Sequence, residues 1–158
     1  MITAKSDYQI RPVQTLDAGA ITDLMNPIIA DGGLTAITGI MTIPDQQSFI
    51  RTLPARSVYL AATDDASGAL LGIQDCLPDP DHPARCDIST FVSLSAPRHG
   101  VGRTLFTEMQ KRLERLDFQT VRAVIREQNA GARAFYSAIG FTEAGVVDSK
   151  VAAYFTLD

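Results

Sequence analysis

The chain predicts a mixed α/β fold that contains one parallel strand pair. Three observations carry the prediction. Short runs rich in β-branched and aromatic residues recur, as in DISTFVS at 87–93 and TVRAVI at 120–125. Between those two runs, Val101, Leu105, Met109, Leu113 and Leu116 fall four, four, four and three residues apart, which places them on one face of a helix. Strand–helix–strand over 87–125 then implies two parallel strands, because such a crossover is too long for a hairpin.

The other elements follow in chain order. Tyr8–Pro12 reads as a first strand. Thr15 or Asp17 can cap a helix that carries Ile21, Leu24, Met25 and Ile28 on one face. Pro27 should kink or end that helix. The stretch ADGGLTAITGIM is loose and glycine-containing, and Pro44 then suits a first helical position, giving a short second helix to about Leu53. Residues 58–63 and 69–75 are β-compatible and joined by DDASG, a hairpin signal. CLPDPDHPAR, with three prolines, reads as a loop. Glu108 and Arg112 form an i,i+4 pair on the outer side of the 101–116 helix. Asn129 can cap a last helix ending near Ile139, with Gly140 as its C′ residue. Two strands, 141–147 and 151–157, close the chain around DSK. The expected order is β, α, α, β, β, β, α, β, α, β, β.

Length and composition bound the function. A chain of 158 residues accommodates one domain, expected over 1–158, with a real core. Hydrophobic residues make up 46% and charged residues 20%, the balance of a globular protein. No apolar run approaches the ~20 residues that span a bilayer, and MITAKSDYQI lacks the apolar core of a signal peptide. The expectation is a cytoplasmic protein with no membrane partner. A net charge of −4 argues against a nucleic-acid partner. Cys76 and Cys86 show no metal-ligand spacing, so no metal is expected, and they read as reduced thiols.

The segment APRHGVGRTLF at 96–106 is where chemistry enters. A glycine-rich turn into a helix exposes unpaired N–H groups at a positive dipole end and lets an anion approach. Gly100 and Gly102 stand where that is needed, the amides up to Val101 and Gly102 can bind, and Arg98, His99 and Arg103 can add charge. Read alone, the loop is better accounted for by an ordinary strand-to-helix turn with solvated arginines. A dinucleotide fingerprint is a further reading. It needs a third glycine where Leu105 stands, although Glu127 occupies the place of the ribose-binding acid.

A second block, REQNAGARAFYSAIGF at 126–141, narrows the choice. Asn129, Ala132, Phe135, Tyr136, Gly140 and Phe141 fit N-x-x-A-x-x-F/L-Y-x-x-x-G-F. With the glycine loop, this resembles the GNAT superfamily of N-acetyltransferases. DISTFVS, RHGVG and VRAVIREQN are most similar to its phosphinothricin acetyltransferase-like branch. One departure is Pro97, where the family has Gln or Arg and where one N–H is therefore lost.

The resemblance implies a mixed, mostly antiparallel twisted sheet with a central splayed parallel pair, flanked by about four helices. It implies acetyl-CoA as cosubstrate and direct transfer to a small, amino-acid-like amine. The splay would free N–H groups near Val92 and Leu94 for the pantetheine and the thioester oxygen. Asn129, Ala132 and Phe135 would line the cofactor. Tyr136 would protonate the departing thiolate, and Asp87, matching a family Glu, would accept the amine proton. A homodimer is expected from the family. A CoA- or nucleotide-binding sensor without turnover stands as the alternative, followed by a dinucleotide-dependent oxidoreductase.

Overall fold

The computed structural model describes residues 7–30, 39–94 and 100–158. Its strands are β1 Tyr8–Pro12, β2 Val58–Asp64, β3 Leu70–Asp79, β4 His82–Val92, β5 Thr120–Arg126, β6 Thr142–Val147 and β7 Lys150–Thr156. They form one sheet in the order β1-β2-β3-β4-β5-β7-β6. Only β4 and β5 run parallel; the other neighbours are antiparallel. The helices are α1 Ala18–Ala30, α2 Ile43–Arg51, α3 Val101–Arg115 and α4 Ala130–Ala138. This is the mixed sheet with a single parallel pair expected from the sequence.

Two apolar clusters lie on opposite faces of the sheet. Val58, Leu60 and Ala62 of β2 pack with Leu105, Met109 and Leu113 of α3. Tyr59 and Ala61 point the other way, to Ile21, Met25 and Ile28 of α1. With both faces covered, every residue of β2 is buried. That explains an unbroken apolar run rather than an alternating one.

The structure decides two proline-containing segments. α1 continues through Pro27 to Ala30. Pro27 and Asp23, whose carbonyl loses its partner, both lie on the exposed side of the helix, where water can serve it. CLPDPDHPAR is not a loop but a tight hairpin: β3 runs to Asp79, β4 starts at His82, and Pro80–Asp81 make the turn. Asp79 Oδ1 accepts the Asp81 N–H at 2.9 Å and closes that turn. Pro78 fits because its missing N–H would point away from β4, past the point where β2 begins pairing at Val58↔Cys76.

The β4–β5 pair has the feature that makes a site. It covers Arg85↔Thr120, Cys86↔Val121 and Asp87↔Arg122 and goes no further among the described residues. β4 stays paired with β3 through Val92, and β5 with β7 through Arg126. The sheet therefore opens between β4 and β5 beyond Asp87. Ser93 N–H donates to the Leu71 carbonyl at 2.9 Å. Alternation then turns the peptide groups of Ile88, Thr90 and Val92 toward the opening, away from β3.

Candidate active site

The opening leads into a cavity of about 550 Å³ between β4, α3 and α4. β4 and its continuation contribute Val92 and Leu94. The start of α3 contributes Gly100, Val101, Gly102 and Arg103, and α4 with its cap contributes Asn129, Ala132, Phe135 and Tyr136. Ten residues named from the sequence thus meet at one place. Arg98 and His99 lie outside the described residues.

The two loop glycines differ in their reasons. Gly100 is the N-cap of α3 with φ +83°, a left-handed backbone that glycine adopts without penalty. At Gly102, a Cβ would meet the Phe135 ring at 2.7 and 2.9 Å. The absence of a side chain there lets α4 close onto α3, and it also keeps the first-turn amides open. Asn129 caps α4, its Oδ1 accepting the Ala132 N–H at 3.1 Å. Arg103 reaches the Ala138 carbonyl at 3.4 Å at the far end of α4.

Tyr136 is buried, with 6% of its surface exposed. Its ring packs against Phe135 at 5.0 Å and Phe141 at 5.1 Å between centroids. The hydroxyl donates to Thr90 Oγ1 at 3.0 Å, which also accepts from Gln74 Nε2 at 3.0 Å. Burial pushes the phenol above its ordinary value, against the pull of the Thr90 bond. The hydroxyl is therefore protonated at neutral pH and able to donate.

Asp87 is placed differently. Both carboxylate oxygens are hydrogen-bonded by Arg122, at 2.6 and 3.1 Å. Arg122 also lies 3.5 Å from Asp79, which Arg85 holds at 2.7 Å. The Arg85 guanidinium holds the Asp79 carboxyl below its usual value. Asp87 is in the last β4–β5 pair before the strands part, and it lines neither this cavity nor the next.

A second cavity, of about 300 Å³, lies on the other face of the sheet under α1 and α2. Met25, Met41, Phe49 and Ile73 make its wall apolar, and Asp75 is its one charged residue among those described. Phe91 borders both cavities. Asp75 pairs with Tyr59 on β2 and Ser89 on β4. Tyr59 donates its hydroxyl to Gln46 Oε1 at 3.1 Å, so that side chain is already committed. Burial pushes the Asp75 carboxyl up to about 7. The sequence reading ends the strand at Asp75 and does not single it out. With β3 running on to Asp79, Asp75 is a mid-strand residue on the helix-covered face. An acid within an apolar run, in register with Tyr59, was the available signal.

A sequence profile described as the acetyltransferase (GNAT) family matches residues 30–141. The chain belongs to the GNAT acetyltransferase family. It is 28% identical over 150 residues to phosphinothricin N-acetyltransferase of Streptomyces viridochromogenes, covering 93% of this chain and 81% of that one. Among solved structures, it superposes on a GNAT superfamily phosphinothricin acetyltransferase from Sinorhizobium meliloti in complex with acetyl-CoA. The TM-score is 0.84 at 19% identity, over 96% of this chain and 89% of that one. It also superposes on ribosomal-protein-alanine N-acetyltransferase from Brucella melitensis, with TM-score 0.81 at 18% identity over 94% and 99%. The phosphinothricin-like branch suggested by DISTFVS and RHGVG thus has support from sequence, while the fold is shared with an enzyme named for a protein substrate.

Proposed function

We propose that the protein transfers the acetyl group of acetyl-CoA directly to the primary amine of a small, amino-acid-like substrate. The observation that carries this reading is the cavity at the β4–β5 opening, bounded by β4 peptide groups that have no β5 partner among the described residues, the amide end of α3 and the Tyr136 hydroxyl. These residues fit acetyl-CoA. The α3 amides from Val101 onward, with Arg103, suit its pyrophosphate. The Val92 and Leu94 N–H groups suit the pantetheine and the thioester oxygen, where negative charge develops. When bound, the cosubstrate supplies the activated acetyl group. Tyr136 holds a proton next to that place and gives it to the leaving sulfur. Asn129, Ala132 and Phe135 shape the wall along α4.

Asp87, held by Arg122 in the last β4–β5 pair that remains in register, takes the amine proton. The small-amine reading is supported by the phosphinothricin N-acetyltransferase relatives and by the limited size of the second cavity.

Thiol release from acetyl-CoA across a panel of acceptors tests this. Small amino acids and their sulfone, sulfoximine or phosphinic analogues should give saturable release. Histone-like peptides, polyamines and aminoglycosides should give background. A polyamine or basic peptide with the higher kcat/KM would overturn the acceptor class. Acetyl-CoA binding with no release on any amine would favour a sensor.

A further inference from the structure

We infer that Thr90 and Gln74 are positioning residues for Tyr136: the Gln74 amide fixes the Thr90 hydroxyl, and Thr90 then donates to the Tyr136 oxygen, so that the tyrosine proton turns to the leaving sulfur. The inference rests on the acetyltransferase reading and deepens it. It adds to the cosubstrate site two side chains that neither the α4 motif nor the glycine loop contains.

Geometry is the first argument. Gln74 on β3 and Thr90 on β4 are directly paired across the two strands. Gln74 Nε2 donates to Thr90 Oγ1 at 3.0 Å, and the Tyr136 hydroxyl stands 3.0 Å from the same oxygen. Side chains from β3, β4 and α4 thus form one line of hydrogen bonds that ends at the cosubstrate cavity. Thr90 and Tyr136 line that cavity, and Gln74 lies behind them. A hydroxyl has one proton and two lone pairs. The Gln74 N–H occupies one lone pair of Thr90, which leaves Thr90 one lone pair or its proton to offer Tyr136. In the structure Tyr136 donates to the lone pair. Rotation about the two C–O bonds exchanges the roles and displaces no heavy atom. Thr90 then donates, and the Tyr136 proton is free for sulfur.

The second argument is the cost of the glutamine. Gln74 is fully buried, on a strand whose other neighbour at that position is the fully buried Leu60. Its Oε1 has no hydrogen-bond partner among the described residues. A buried amide with an orphaned carbonyl destabilises a fold. An apolar side chain of like volume would suit the cluster of Leu60, Cys76 and Leu105 on this face. Packing therefore gives no reason for a glutamine here, and the bond to Thr90 does.

The third argument is electrostatic. Giving up its proton makes Tyr136 a phenolate in surroundings that resist one. Burial holds the phenol above its ordinary value, and Cys76 and Asp75 on β3 push the same way. The rings of Phe135 and Phe141 against it bring no charge. Of these influences only the Thr90 bond pulls the other way. A fixed donor aimed at an oxygen where negative charge develops lowers the barrier to the transfer.

The step balances. The amine nitrogen forms its bond to the acetyl carbon, the C–S bond breaks, and its electron pair goes to sulfur. Sulfur takes the Tyr136 proton. Thr90 keeps its own proton and shares it with the phenolate oxygen. The proton that nitrogen loses to Asp87 passes to solvent, and solvent returns one to Tyr136.

Steady-state thiol release from acetyl-CoA tests this, with L-methionine sulfone or the panel amine of higher kcat/KM as acceptor. The variants are Thr90→Val, Thr90→Ser and Gln74→Met, each alone and combined with Tyr136→Phe. Thr90→Val should lower kcat ~10-fold and Gln74→Met ~3-fold or more, with KM for acetyl-CoA kept within ~2-fold. Thr90→Ser should restore most of the kcat lost in Thr90→Val. In the Tyr136→Phe background neither change should cost anything further, because the oxygen that Thr90 serves is gone. Gln74→Met should melt at or above the wild type, since the orphaned carbonyl leaves with the amide. Its kcat therefore decides even where Thr90→Val folds poorly.

Wild-type kcat in Thr90→Val or Gln74→Met overturns the inference and leaves the transferase reading standing. Losses of the same factor with and without the Tyr136 hydroxyl overturn it too, as does a raised KM with kcat kept. Absence of thiol release by the wild type on every amine overturns the transferase reading, and the inference with it.

Discussion

The two cavities lie on opposite faces of one sheet and share Phe91, yet they are built from different materials. The larger one is mostly backbone and small side chains: β4 peptide groups, two glycines at the start of α3, and the alanine-rich α4. The smaller one is side chain almost throughout, with methionines, aromatics and, among the described residues, a single carboxyl. Backbone donors suit a ligand part that is the same in every reaction, such as a pyrophosphate or a pantetheine amide. Side chains suit the part that differs from one acceptor to the next. Under the proposed function, constancy falls to the α3/α4 face and specificity to the α1/α2 face.

The comparison can be sharpened first at Tyr136. Tyr136→Phe removes the hydroxyl that donates to Thr90 and keeps the ring against Phe135 and Phe141. A proton donor that acts only in the chemical step should be felt in kcat, by ~10²-fold. Acetyl-CoA affinity, measured by calorimetry, should change little, because the backbone side of the cavity is untouched. A fall in affinity with kcat preserved would make Tyr136 a wall residue.

The glycines give a smaller, graded effect. Gly102→Ala drives a methyl into the Phe135 ring and should cost ~1–3 kcal/mol, with weakened acetyl-CoA binding. Gly100→Ala meets only open space beyond the Tyr8 hydroxyl at 3.9 Å, so its cost is the left-handed backbone alone, ~1 kcal/mol. Melting temperatures of the two variants should rank accordingly. The reverse order would mean that the loop conformation, and not the α3–α4 contact, is the tighter constraint.

The legibility of the chain follows the same division. The α3/α4 cavity was readable because its parts are consecutive: glycines at a helix start and a helix with Asn129, Ala132, Phe135, Tyr136 and Gly140 at fixed spacings. Spacing within one helix fixes geometry, since the backbone between the residues is known. The element order was readable for similar reasons. The α1/α2 cavity was not, because Met25, Phe49, Tyr59, Asp75 and Phe91 come from five separate elements. Their meeting depends on sheet register, and the register depended on a strand hidden by Pro78 and Pro80. Asp87 shows what the structure adds to a motif: the sequence matches an acid to a family position, and the structure places Arg122 one strand away to hold it.

The central claim is that the break between β4 and β5, together with the start of α3, receives acetyl-CoA. Amide chemical shifts of the 15N-labelled protein, recorded as acetyl-CoA is added, test it most directly. The largest changes should fall on Val92, Leu94, the amides from Gly100 to Arg103 and the cap at Asn129, with Met25, Met41 and Phe49 barely moved. Changes concentrated around α1 and α2, with Val92 and Gly102 unmoved, would contradict the account.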